Sequence, residues 1–181
     1  MYPPTLPPAR RRVKPSRGPW YTLHMGDTIL QGYVYRGARA CVLMHEREMR
    51  AFLSVWRRAQ ETGTALPRTD DPNYLSLPAL LHHVLRCPRN YMIWMCEKLG
   101  LPDPGIHEPP AVERIETEAD HFLSHVLEQW RLPLAGVDEK RFDEVYPSRW
   151  GVPMSLESML EHAVVHPLRH AFQLKELMGA V

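Results

Sequence analysis

Residues 155–178, SLESMLEHAVVHPLRHAFQLKELM, place His162, His166 and His170 four positions apart. In an α-helix each such step advances about 40°, so the three imidazoles form one shallow stripe. Leu156, Met159, Leu160, Ala163, Leu174 and Leu177 gather on one side of the same wheel. The histidine stripe follows the edge of that apolar face, where a neighbouring helix would meet it. Leu168 and Phe172 fall on the far side, so the amphipathy is imperfect. Two imidazoles one turn apart can converge on a single metal ion. A chain with ten histidines also produces such spacings by chance, so the triplet alone leaves a metal role and a bland one both open.

Upstream, three further stretches carry the helical period. In residues 38–59, Cys41, His45, Met49, Phe52, Leu53 and Trp56 recur at three and four, with Gly63 shortly past the end. A polar, proline-containing loop follows over residues 64–75. Ser76 is a plausible N-cap for a second helix reaching Leu99, with Gly100 as its stop and Pro102 beyond. Pro78 sits in the tolerated first turn, whereas Pro88 lies in the interior and is expected to kink or locally break the helix. A third helix is expected over residues 111–131, burying Val112, Ile115, Ala119, Phe122, Val126 and Trp130, and a long loop through residues 132–154 leads to the last helix. Four amphipathic helices of this length meet the requirement for an all-α four-helix bundle over residues 38–181.

Residues 1–37 read differently. The first nineteen are proline-rich and carry five basic side chains, which predicts an extended arm with polyproline II character. Residues 20–36 are rich in aromatic and β-branched side chains, and Gly26-Asp27 suits the turn of a short β-hairpin.

Helix two offers a third ligand. Leu77, Leu80, Val84, Tyr91 and Met95 centre its buried face; His83 lies about 90° from that centre, while His82 lies nearly opposite the core. His83 is therefore the one that can look across the seam towards the last helix. A local echo supports this: residues 76–83 and 155–162 share the frame Ser-Leu-x-x-apolar-Leu-x-His. His121 and His125, also four apart, point away from their helix's apolar face and read as surface residues. His45 falls on an apolar stripe as a core histidine. Cys87, one turn after His83, could supply a thiolate or be a small buried hydrophobe.

Composition narrows the function classes. With 22 basic and 21 acidic residues the net charge is +1, which gives no electrostatic case for nucleic acid. Three cysteines without CxxC spacing suit reduced thiols rather than a disulfide framework. No apolar run reaches the roughly 18–20 residues needed to cross a bilayer, and the N-terminus lacks the apolar core of a secretory signal. The expectation is a cytoplasmic protein without a membrane partner.

The SL-x-x-LL-x-H helix, two further helices, and then SL-x-x-ML-x-HAVVHPLRHAFQL resemble the DinB/YfiT-like family of metal-binding four-helix bundles over residues 38–178. The resemblance implies a divalent metal held by one histidine of the second helix and an H-x3-H pair of the last, which maps onto His83, His166 and His170. His162 matches a further histidine that need not be a ligand. Pro167 departs from the family pattern and is expected to bend the helix inside the motif. Residues 1–37 have no counterpart there.

Three neutral imidazoles with a fourth position open to water describe a catalytic rather than a structural site. Imidazole suits Zn, Ni, Cu and Fe alike, so the ligand set does not name the metal; Zn or Ni is the expectation. The resemblance implies a small-molecule substrate, with thiol S-transfer or hydrolysis as the reaction type. The alternative is a non-catalytic interaction or stress-response bundle whose metal site is structural or vestigial. Val165, Leu168 and Phe172 could form a homodimer face or be covered by the N-terminal segment.

Overall fold

The computed structural model describes residues 30–180. Among the described residues the chain is mostly helical, with four long helices and one small sheet: α1 (Arg36–Glu61), α2 (Leu77–Leu99), α3 (Ile115–Trp130), β1 (Val145–Pro147), β2 (Pro153–Ser155) and α4 (Leu156–Leu177). Short 3₁₀ turns occupy Pro72–Tyr74 and Glu139–Asp143. The extended arm over residues 1–19 and the hairpin turn at Gly26-Asp27 lie outside the described residues, but the second strand of that expected hairpin does not form over residues 30–35, which are helical turn and bend leading into α1.

Local chemistry sets the helix ends. The hydroxyl oxygen of Ser76 accepts a hydrogen bond from the Ala79 amide at 3.2 Å, and that of Ser155 accepts from Ser158 at 3.0 Å. Each satisfies an amide that the first turn otherwise leaves without a partner. The two halves of the sequence echo therefore do start their helices alike. At the other end of α2, Gly100 takes φ +68°, and the Leu101 amide donates back to the Cys96 carbonyl at 2.9 Å. Helix α3 begins four residues later than the expected residue 111. Pro109 and Pro110 precede a single turn closed by the Arg114 amide on the Ala111 carbonyl, and regular α geometry starts only at Ile115.

One continuous apolar core joins the helices. α1 packs along α4, and α2 lies against both α3 and α4. α1 contributes Val42, Met49, Phe52, Leu53 and Trp56; α4 contributes Leu156, Met159, Leu160, Ala163 and Leu174. Each of the larger side chains contributes roughly 1.5–3 kcal/mol on burial. Three tryptophans bring their polar edge with them and find carbonyl partners: Trp56 donates to Leu77, Trp94 to Pro147 and Trp130 to Pro88. At the rim, Arg131 bonds Glu46 at 2.7 Å, tying the end of α3 to α1. Before α1, Leu30 and Tyr33 are buried in the same core, and the Val34 amide donates to the Ala135 carbonyl at 2.9 Å.

Neither internal proline interrupts its helix: α2 runs through Pro88 and α4 through Pro167, and both rings are buried. The stretch expected as a long loop before α4 instead holds the β1–β2 hairpin, paired antiparallel with Tyr146 opposite Met154 and Pro147 opposite Pro153. Its turn closes through the Ser148 amide on the Val152 carbonyl, with Gly151 at φ +74°. Because Ser155 both ends β2 and caps α4, the hairpin is fixed at the head of the histidine-bearing helix.

Candidate metal centre

The seam between α2 and α4 collects His83, His166 and His170. His166 and His170 project from the buried face of α4, at 4 % and 0 % exposure, and His83 reaches them from α2. The Nε2 atoms of His83 and His166 are 3.1 Å apart, and those of His166 and His170 are 3.3 Å apart. Ligands about 2.0–2.1 Å from a tetrahedral ion sit roughly 3.3 Å from one another, so these separations match a shared cation. The rings are splayed rather than stacked, with interplanar angles of 60°, 79° and 88° among the three pairs. This is how imidazoles stand around a common point.

Protonation agrees with that geometry. Burial above all, with Arg86 next, pushes His83 down to about 4. Burial, followed by the neighbouring rings, pushes His166 to about 2 and His170 to about 4. All three are neutral at pH 7 and present lone pairs, as ligation requires. His170 Nδ1 lies 3.0 Å from the Gln173 side-chain oxygen. Donation from Nδ1–H to that oxygen leaves the Nε2 lone pair facing the cluster. His166 Nδ1 is buried without a partner among the described residues. The residues present thus fit a divalent cation: three neutral nitrogen donors at ligand spacing, one of them held in the required tautomer.

The structure sorts the remaining sequence candidates. His162 stays out of the cluster; it is half-buried in a cavity wall, edge-on to Tyr91 at 5.3 Å. His82 is half-buried and outside the cluster. His45 is buried against Trp130, ring centroids 3.9 Å apart. His121 is exposed, while His125 is half-buried and stacked on His107 at 4.1 Å. Cys87 lies 3.9 Å from His83 Nδ1, outside the three-histidine set, and burial pushes its thiol pKa up. Pro167 does not part the two imidazoles of α4. The hydrogen bond it forgoes is to the Ala163 carbonyl, one turn before the pair, and the turn from His166 to His170 is spared.

A cavity of about 400 Å³ opens beside His83 and His166. The β1–β2 turn closes one side of it, bringing Trp150 to 5.3 Å from His162 and 6.1 Å from Tyr91. Tyr74 stands on the other flank, 5.9 Å from His83 and 5.7 Å from His170. Arg86, Gln173 and Arg169 also belong to this neighbourhood and escaped the sequence reading. Each follows a cluster histidine by three positions, on the same helix face, so the spacing carried a signal for them. Trp150 gave none, because its place depends on the hairpin. In comparison with known proteins, the chain matches no protein-family model, no curated protein and no solved structure.

Proposed function

We propose that the chain is a four-helix bundle of the DinB/YfiT-like kind that binds a divalent metal ion, zinc or nickel, on His83, His166 and His170 and acts enzymatically on a small molecule. The observation that carries this reading is the convergence of three neutral, inward-facing Nε2 atoms at the wall of a cavity large enough for a substrate. When bound, such an ion supplies Lewis acidity, which polarises a substrate oxygen or favours the thiolate form of a bound thiol. The chain's own residues do the rest. Gln173 orients His170, while Tyr74 and Tyr91 flank the cluster and limit access of water. The Trp150 turn walls one side of the cavity. Transfer of a thiol, or hydrolysis, is the reaction type that this arrangement serves.

A second reading has its own support. Asp71, the one carboxylate in the cavity wall among the described residues, is already engaged by the Asn73 amide and side chain at 2.9 and 2.8 Å. Among the described residues no free carboxylate faces the cluster. Val165, Leu168 and Phe172 stand about half-exposed along α4, a face suited to a second copy. A non-catalytic association bundle would use these features. The two readings separate on cobalt-substituted protein titrated with 2-mercaptoethanol and followed by visible absorption. The enzyme reading expects a saturable change in the ligand-field bands as an exogenous ligand takes the open position. Bands unmoved by thiol, acetate or azide would mean a closed, structural site.

A further inference from the structure

The cavity beside the histidine cluster has an unbalanced wall. Arg86, Arg149 and Arg169 all line it, and none of the three has a carboxylate within ion-pair distance among the described residues. Seven other arginines of the described chain do have one. The single acid in the wall, Asp71, is spent on Asn73. Arg86 is half-buried, yet among the described residues its Nη2 makes only a long 3.4 Å contact with Asn73, and its buried Nε finds no partner. A guanidinium offers five N–H donors in a planar fork, and leaving them unmet in a partly desolvated site is costly. The three imidazoles add no negative charge, and a divalent cation on them would deepen the positive excess. The same wall carries aromatic rings: Trp150, with more than half its surface exposed, and Tyr91.

We propose that this cavity is a binding site for an organic oxyanion, a carboxylate or phosphate carried on a planar ring, with the acid group held by Arg86, Arg149 and Arg169 and the ring against Trp150 and Tyr91. The fork geometry of Arg86 suits two-point recognition of either head group. The Trp150 face supplies the apolar seat, while His83 and His166 form the floor towards which the rest of the molecule extends. This names the substrate class for the metal centre proposed above and rests on that reading only for where the reactive end of the molecule points.

The test uses the full chain, zinc-loaded and EDTA-treated, titrated with benzoate, phenyl phosphate and neutral benzyl alcohol by calorimetry and tryptophan fluorescence. At least one anion is expected to bind and perturb tryptophan emission, with benzyl alcohol at least about ten-fold weaker. The tighter of the two anions identifies the head group. Arg86→Gln should weaken the anion about ten- to hundred-fold, as loss of a charged hydrogen bond does. Arg169→Gln, at an exposed position that leaves the fold intact, should weaken it about two- to five-fold. Both losses should persist without zinc, because the contact is to guanidinium. Equal binding of benzyl alcohol, wild-type affinity in folded Arg86→Gln and Arg169→Gln, or no anion binding with and without zinc would each overturn the assignment. If Arg86→Gln fails to fold by circular dichroism, Arg149→Gln combined with Arg169→Gln takes its place, and wild-type affinity there overturns it equally. Zinc content of the same samples keeps the two ideas apart. Zinc retained with no anion bound ends this inference alone, and anion bound with no zinc retained ends the metal reading alone.

Discussion

Taking the metal-free protein from about pH 8 to about pH 5 should remove at least roughly 6 kcal/mol of folding stability. Three buried histidines set that floor, and the half-buried His83, pushed down to about 4, adds to it with the same sign. Burial pushes His45 down to about 3, His166 to about 2 and His170 to about 4. In the unfolded chain each returns to about 6.5. Between these values the unfolded chain takes up protons that the folded chain refuses. Stability is therefore complete above about pH 6.5 and is lost as the pH falls towards the folded values. At about pH 5 each ring stands about 1.5 pH units below its unfolded value, worth about 2 kcal/mol apiece and about 6 for the three. A domain of this kind holds only roughly 5–15 kcal/mol in all, so the metal-free chain should be near its unfolding midpoint there. Urea titrations followed by far-UV circular dichroism, after dialysis against EDTA, read the quantity directly. His45→Phe isolates one contributor: its ring nitrogens have no partner among the described residues and its plane stacks on Trp130, so phenylalanine keeps the packing and removes the titration. That variant should lose about 2 kcal/mol of the pH dependence. A stability that stays within about 1 kcal/mol over the whole range would refute the assignment of these rings as buried and neutral.

Three further outcomes follow from particular contacts. Gln173→Ala removes the acceptor that holds His170 Nδ1–H and should lower zinc affinity about ten- to hundred-fold with the helical spectrum unchanged, measured by competition with a chromophoric chelator. Ser155→Ala deletes the cap of α4 and should cost about 1 kcal/mol in urea unfolding at neutral pH. Gly151→Val forces a β-branched residue into φ +74°, which should cost about 1–3 kcal/mol and blue- or red-shift Trp150 emission as the turn lifts from the cavity.

The parts of the fold legible in the sequence are those encoded locally. Ser76, Ser155 and Gly100 announce helix ends through their own hydrogen bonds and backbone freedom, and the three-and-four spacing marks the faces that become the core. His83 was legible because the angle from an apolar face survives folding. The hairpin was not. Its strands are three residues long and flanked by prolines, and they gain their partners from afar: the Trp94 indole on the Pro147 carbonyl and the Tyr146 ring beside Trp94. Pro88 suggested a kink or break and Pro167 a bend because each forgoes one backbone bond, yet both helices continue with the rings buried, and the Pro88 carbonyl gains the Trp130 indole as a donor. The arginine-lined cavity needed α2, α4 and the hairpin turn brought together. No single window of sequence contains that juxtaposition.

The most direct test of the central claim is metal content per chain by mass spectrometry, for wild type beside His83→Ala, His166→Ala and His162→Ala, after reconstitution with zinc and with nickel. The geometry predicts close to one ion per wild-type chain, loss of it in His83→Ala and His166→Ala, and retention in His162→Ala, whose ring stands outside the cluster. A wild-type chain that takes up neither metal, or a His83→Ala chain that holds it as well as wild type, would contradict the account.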